Sequence, residues 1–380
     1  LKPALTRIYF PRCSTLMLEN TIKHNETISR LTRKKPLIIA GPCSAETREQ
    51  VLETADLLSR TGKVDMFRAG IWKPRTRPGN FEGVGEAGLE WLREVKALYR
   101  LPAIIEVANA RQAELALRYG IDAVWIGART TVNPFSVQEI ADALKGAAIP
   151  VYIKNPVNPD IELWTGAVER IQQADIKDIG LIHRGFSSYG NARLRNVPMW
   201  HLAIEIRRRF PDLPVLIDPS HITGNSALIP EILQKAIDLD YDGAIIEAHC
   251  RPGSAWSDAA QQVTPDELLR IINAIIWRKD DIQEERIIGQ LEQLRRQIDQ
   301  YDHQLLELIS KRMHISREIG RVKKEHNVTI LQTRRWQYIY DRVKALGQEL
   351  GLSEEFINHY MEAIHLESIR NQDIIMNPKD

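Results

Sequence analysis

The chain has 380 residues, with 51 Lys+Arg against 50 Asp+Glu for a formal net charge of +1, and it is 43% hydrophobic and 27% charged. This length accommodates about two domains of the usual ~100–200 residues, and the charge balance argues against a phosphate-tracking nucleic-acid surface, leaving small molecules as the expected ligands. Three cysteines, Cys13, Cys43 and Cys250, form an odd set without framework spacing, which argues against a disulfide-stapled secreted fold; a reducing, cytoplasmic setting is expected, and any one of the three could hold a metal.

Residues 1–30 are expected to be a poorly ordered leader. The stretch to Leu16 has no periodicity, Met17 offers a natural start, and with about 35 residues before the first strand no N-terminal regulatory domain is expected. No basic-then-apolar layout marks a signal peptide, and no apolar run approaches the ~18–20 residues of a membrane span, so no membrane partner is expected.

From Leu37 to His249, eight short β-branched and apolar runs alternate with longer segments of helical spacing. The runs are Leu37 to Ser44, Met66 to Trp72, Ala103 to Asn109, Ala123 to Arg129, Pro150 to Pro156, Ile179 to Gly185, Pro214 to His221 and Gly243 to His249. Sequences such as LIIAG and GAIIEA lack strict polar alternation and suit parallel strands covered on both faces. Segments such as Glu46 to Ser59, Gly85 to Tyr99, Arg111 to Tyr119, Val137 to Leu144 and Met199 to Phe210 read as amphipathic helices. Eight β/α units over residues 31–278 fit an α/β fold of the (β/α)8 TIM-barrel type in size and count, with an open doubly wound sheet as the alternative.

Residues 279–380 read as an all-α domain of three helices. Leu291, Leu294, Ile298, Tyr301, Leu305, Leu308, Ile315, Ile319 and Val322 follow a three-four spacing with one gap at Arg312. The spacing predicts one helix from about Gln283 to Glu325, ~65 Å long at 1.5 Å per residue, which needs partners beyond its own small domain. Two further helices are expected over Gln332 to Leu346 and Ser353 to Gln372, with Gly347 and Gly351 breaking the pattern between them.

Barrel chemistry collects at the C-terminal ends of the strands. Every run here ends in polar or charged residues: GPCS with Cys43, Arg68 leading into WKPRT, Glu106, IGAR, YIKNP, LIHRG with His183 and Arg184, DPSH, and IIEAH followed by Asp258. Arg68, Lys73, Arg75, Arg129, Lys154 and Arg184 are six cations, more than one carboxylate requires, so ligands with several phosphate or carboxylate charges are expected. Cys43, His221, Glu247 and Asp258 offer one sulfur, one nitrogen and two oxygen donors, a mixed set that suits a catalytic Mn, Fe, Co or Zn ion.

In order, GPCSAET, KPRT, IGAR, YIKNP, HRG, DPSH and EAH followed by SDAAQ resemble the motifs of the type I 3-deoxy-D-arabino-heptulosonate 7-phosphate (DAHP) synthases over about residues 36–275. The chain looks most like the short subgroup related to the 3-deoxy-octulosonate 8-phosphate synthases. The resemblance implies condensation of phosphoenolpyruvate with erythrose 4-phosphate and release of phosphate, the first step of the shikimate pathway to the aromatic amino acids. Residue by residue it implies a divalent metal, Mn2+ foremost, on Cys43, His221, Glu247 and Asp258. It implies a phosphoenolpyruvate pocket of Arg129, Lys154 and Arg184 with Lys73, closely approached by the backbone of Gly127 and Ala128. Arg75 and Thr76 match the erythrose 4-phosphate contact, and Glu106 is an organiser of the attacking water or of Lys73. KPRT stands where octulosonate synthases carry a KANRS-type segment, which disfavours their five-carbon sugar phosphate. Arg77, Asn109 and GARTTVNP depart from the usual pattern, although Asn133 is kept.

In the tail, Lys323 lies eleven residues after Arg312, three turns on and on nearly the same helix face. Arg295 lies seventeen residues before Arg312, ~25 Å along the axis, so the two can serve one ligand only if Arg295 comes from a second chain. LRRQIDQYDHQLLELISKRMHISREIGRVKK resembles the first helix of the all-helical chorismate mutases, which are intertwined dimers, and the match runs from about Gly289 to Gln372. It implies rearrangement of chorismate to prephenate and puts Arg295, Arg312, Lys323, Arg335, Ser368 and Gln372 on binding positions, with Gln332 nearby. Trp336 replaces a Glu found in some relatives. Fusion of the two implies feedback inhibition of the synthase by prephenate or chorismate and a homodimer or larger assembly. The alternatives are a tail that only senses and dimerises, or an octulosonate synthase barrel.

Overall fold

In a computed structural model the described residues are 28, 31, 34–74, 78–188, 190, 193–278 and 284–378. The leader expectation, apart from Ile28, and Arg75, Thr76 and Arg77 lie outside the described residues. Two compact units divide at Asp280 and Asp281.

The first unit is a closed barrel of eight parallel strands in sequence order: β1 (Leu37–Gly41), β2 (Met66–Arg68), β3 (Ala103–Val107), β4 (Ala123–Ile126), β5 (Val151–Lys154), β6 (Ile179–His183), β7 (Val215–Ile217) and β8 (Gly243–Glu247). Pairing of β1 with β8, from Leu37 with Gly243 to Gly41 with Glu247, closes it. Among the described residues ten α-helices connect and follow the strands: α1 (Arg48–Arg60), α2 (Ala87–Tyr99), α3 (Ala110–Arg118), the short α4 (Ala128–Thr131), α5 (Pro134–Leu144), α6 (Ile161–Gln173), α7 (Trp200–Arg209), the short α8 (Pro219–Thr223), α9 (Ile229–Asp238) and α10 (Pro265–Ala274). Each expected run holds a strand, but several strands stop short of their predicted ends. The run Pro214 to His221 is extended only to Ile217, because the Asp218 side chain accepts from the His221 backbone N–H and Pro219 occupies the first helical turn. His221 therefore rides on α8, and Arg129 likewise rides on α4, capped by Gly127.

Strand side chains alternate between two cores. Leu37, Ile39, Met66, Ile104, Ala123, Trp125, Tyr152, Ile182, Leu216 and Ile245 fill the barrel interior. Their neighbours Ile38, Ala40, Phe67, Ile105, Val124, Ile126, Ile153, Leu181, Ile217 and Ile246 pack against the helices. Continuing the inward set by two positions brings Arg68, Glu106, Lys154, Asp218 and Glu247 to the mouth. His183 falls on the outward set: its ring lies among Trp164, Phe186, Trp200 and Tyr241, 2.8 Å from the Tyr241 hydroxyl and 2.6 Å from the Pro198 carbonyl oxygen.

The second unit holds α11 (Glu285–Glu325), α12 (Thr333–Glu349) and α13 (Glu354–Met376). The 41 residues of α11 span ~60 Å. α13 packs along its C-terminal part, where Met313, Ser316 and Gly320 are buried together with Met361, Ile364, Ser368 and Gln372. On its N-terminal half, Leu294, Ile298, Tyr301, Leu305 and Leu308 are 56–64% exposed within the single chain. Gly347 does not break α12 as expected; it lies within the helix, where a Cβ would come 2.4 Å from Ile357 Cδ1, so it lets α13 approach closely. Gly351, at φ +73°, does lie between the helices.

Candidate active sites

Trp125 floors the barrel mouth. The Arg68 guanidinium and the Lys154 ammonium lie 5.1 and 5.4 Å from its ring centroid, and its indole N–H donates to Glu106 Oε2 at 3.0 Å. Gly127 makes room for that carboxylate, since a Cβ there would lie 2.1 Å from Glu106 Oε1. Arg184 is buried, held by Asn196 Oδ1 at 2.7 Å, and burial followed by the charges of Arg195 and Arg129 lowers its pKa to about 10 against the opposing pull of Asp218 and Glu106. Arg68, Lys154 and Arg184 are thus buried cations converging on one end of the barrel. Arg129 is exposed on α4.

The four expected metal donors stand as two pairs. Cys43 Sγ is 3.3 Å from Asp258 Oδ2, and His221 Nε2 is 3.7 Å from Glu247 Oε1. Among the described residues no three His, Cys, Asp or Glu side chains form a group placed to hold a metal. The local chemistry nonetheless fits one. His221 Nδ1 lies 2.8–2.9 Å from both Asp218 oxygens, which turns Nε2 toward Glu247 in the carboxylate–histidine arrangement that orients metal-binding imidazoles. Glu247 Oε1 is buried and accepts no aligned hydrogen bond, although Arg68 NH2 lies 3.1 Å away.

Three of the four donors also have a cation beside them: Lys73 Nζ is 3.0 Å from Cys43 Sγ, Arg68 pairs with Glu247, and Arg195 NH1 is 2.9 Å from Asp258 Oδ1. Burial and the Glu247 charge push the Cys43 thiol up to about 11, with Lys73 opposing. Burial would raise the Glu247 and Asp258 carboxyls, but His221 and Arg68 outweigh it at the first and Arg195 at the second, holding both below the usual range. Lys73 bonds Cys43, donating to its carbonyl oxygen at 2.8 Å as well.

Asp218, Trp125, Arg195 and Gln261 also belong to this site, beyond the residues that the sequence motifs assign a role. Period-two counting along β4 and β7 reaches Trp125 and Asp218, whereas Arg195 and Gln261 sit in loops where no periodicity points inward.

In the helical unit, Arg312, Lys323, Gln332, Arg335, Ser368 and Gln372 line a cavity of about 420 Å³ together with Ser316, Trp336, His365 and apolar side chains. Arg312 donates to Ser368 Oγ, and Lys323 Nζ donates to the Ile330 carbonyl oxygen at 2.5 Å and to Gln372 Oε1 at 3.0 Å. Desolvation lowers the Lys323 pKa, and desolvation together with Arg312 lowers that of His365, which stacks on Trp336 at 3.8 Å. Arg295 is not part of this cavity; it is exposed and paired with Glu292 at 3.0 Å. His365 and Ser316 line it without having been expected to.

Residues 19–284 match the family model "DAHP synthetase I family", and residues 294–373 match "Chorismate mutase type II". A phospho-2-dehydro-3-deoxyheptonate aldolase of Thermotoga maritima is 35% identical over 226 residues, 60% of this chain and 64% of that protein. A 2-dehydro-3-deoxyphosphooctonate aldolase of Wolinella succinogenes is 26% identical over 63% of this chain and 98% of its own length. A crystal structure of the Thermotoga maritima heptonate aldolase superposes with a TM-score of 0.56 at 33% identity, covering 62% of this chain and 67% of that one. With 70% of its length under the first family model and a closed eight-stranded parallel barrel there (266 of 380 residues), the chain belongs to the DAHP synthetase I family, and it carries a C-terminal chorismate mutase type II region.

Proposed function

We infer that the chain is a bifunctional enzyme: a metal-dependent DAHP synthase over residues 31–278 and a chorismate mutase over residues 279–380. The observation that carries the first activity is the convergence of buried Arg68, Lys154 and Arg184 beside the Cys43, His221, Glu247 and Asp258 donors. Three cations are suited to hold the phosphate and carboxylate of phosphoenolpyruvate and screen their repulsion from a second phosphorylated substrate. A divalent ion, Mn2+ foremost with Fe2+, Co2+ or Zn2+ also suited to the donors, would supply Lewis acidity toward the aldehyde of erythrose 4-phosphate. C3 of phosphoenolpyruvate forms the new bond to the aldehyde carbon, whose oxygen takes up a proton. Water adds at C2, and loss of phosphate from C2 completes the balance. In this reading Glu106, which accepts from the Trp125 indole N–H, takes up a proton from that water, and Lys73 donates to Cys43. KPRT and the higher identity to the heptonate aldolase support erythrose 4-phosphate over arabinose 5-phosphate.

The mutase reading is carried by the cavity that gathers Arg312, Lys323, Arg335 and Gln372. Rearrangement of chorismate is pericyclic, so these groups hold two carboxylates and meet the charge growing on the ether oxygen. Arg295 comes from a second copy, whose α11 covers the exposed apolar seam in a homodimer. Prephenate bound in the cavity lowers synthase activity, and the enzyme works in the cytoplasm; among the described residues no helix is long and apolar enough to cross a membrane.

A paired assay tests the reading. Chelator-treated protein should lose condensation of phosphoenolpyruvate with erythrose 4-phosphate and keep chorismate turnover, and added Mn2+ should restore the former. Turnover of arabinose 5-phosphate in its place would identify an octulosonate synthase, and a prephenate-insensitive synthase rate would remove the feedback.

A further inference from the structure

Asp258 and Glu247 reach the site from different segments, and one guanidinium ties both down. Arg195, in the loop between β6 and α7, donates through NH1 to Asp258 Oδ1 at 2.9 Å and to Gln261 Oε1 at 2.7 Å. Gln261, which is 1% exposed, donates in turn through Nε2 to Glu247 Oε2 at 2.6 Å. Each carboxylate therefore has one oxygen engaged by this support and the other turned to a neighbouring donor: Asp258 Oδ2 toward Cys43 Sγ, and Glu247 Oε1 toward His221 Nε2.

We propose that Arg195 and Gln261 are positioning residues that hold Asp258 and Glu247 in ligating orientation. The chemistry of the chain Arg–Gln–Glu fixes its own direction. A guanidinium only donates and an ionised carboxylate only accepts, so the amide must present its oxygen to Arg195 and its NH2 to Glu247. Asp258 sits at φ +48°, in the left-handed region that Asp adopts more readily than most residues, at the entry to the turn Ala259–Gln261. An isolated exposed ion pair would orient nothing outside itself; here Arg195 reaches a fully buried carboxylate through a buried amide.

This inference rests on reading Cys43, His221, Glu247 and Asp258 as the metal site, and the test separates the two. Metal-free full-length protein is titrated with Co2+ alone against a chromophoric chelator, and the visible bands of the bound ion are recorded. Arg195→Ala and Gln261→Leu should each weaken Co2+ binding ~10–100-fold, the usual effect of losing a partner that orients a ligand. Both should alter the ligand-field bands while keeping the thiolate-to-cobalt band of Cys43, and Arg195→Lys should recover affinity only in part. Gln261→Leu is close in volume to the native residue and guards against a result that reflects unfolding. Wild-type affinity and bands in both variants would overturn the positioning role while leaving the metal site intact. Wild-type protein that gives no thiolate-to-cobalt band would overturn both.

Discussion

Lys154 Nζ lies 2.7 Å from Asp218 Oδ2 at the barrel mouth, with both side chains almost fully removed from solvent. Asp218 also holds His221 Nδ1, so one carboxylate joins a cation suited to phosphoenolpyruvate to an imidazole suited to a metal. Burial opposes its charge, but His221 and Lys154 together hold the carboxyl well below the usual range. Asp218→Asn leaves the ammonium buried without a counterion and should cost about 3–5 kcal/mol of unfolding free energy, read from urea midpoints. Adding Lys154→Met removes the orphaned charge and should regain most of that stability with the synthase still inactive. A double variant no more stable than Asp218→Asn would show that the pair is not the source of the loss.

Cys43→Ser replaces the soft donor by a hydroxyl that ligates borderline metals poorly. The condensation rate should fall at least ~100-fold, a loss of about 3 kcal/mol in transition-state stabilisation. Chorismate consumption by the same preparation should stay within about twofold. Comparable losses in both assays would count against two separate sites.

Arg312→Ala removes a cation from the helical cavity and should lower chorismate turnover about 10²–10³-fold with the synthase retained. Arg295→Ala should do the same although Arg295 lies outside that cavity. Mixing the two inactive variants after subunit exchange then gives heterodimers with one intact site of two, so about a quarter of wild-type activity should return. No recovery on mixing would place Arg295 outside the reaction.

His183 gives a pH dependence with a defined sign. Burial, joined by the Arg184 charge and opposed by the Pro198 carbonyl and Asp218, lowers its pKa from 6.5 to about 4. The unfolded chain therefore takes up a proton that the folded chain refuses between these values. The contribution is complete above pH 6.5 and is lost as pH falls toward 4, by about 3 kcal/mol in total. Urea unfolding at pH 7 and pH 4.5 should show a smaller decline for His183→Gln than for wild type, and parallel declines would reject this origin.

Barrel class, strand count and the polar and charged residues gathered at the barrel mouth were legible because parallel strands leave apolar runs and the residues at their C-terminal ends share one face of the barrel. Strand ends were read too far at Arg129 and His221, where a glycine and an aspartate cap start short helices. Arg195 and Gln261 were not legible, since their partners are set by loops that meet only in three dimensions. In the helical unit, Arg312 was legible as a polar gap in an apolar seam. His365 was not, because a lone histidine on an amphipathic helix carries no signal until Trp336 stacks on it. Gly347 was misread for a related reason: small size serves close helix approach as well as termination, and spacing alone does not separate the two.

The barrel wall separates neighbours in sequence by function. His183 belongs to the packing between strand and helices, and Arg184, one peptide bond away, belongs to the mouth. Random substitution at the C-terminal ends of the strands should therefore yield a sawtooth of phenotypes, the helix-facing position reporting cellular abundance and the mouth-facing position reporting turnover. Drift that tunes the thermal tolerance of this protein can proceed on both packed registers below the mouth, while the inward positions at the strand ends answer to a separate constraint.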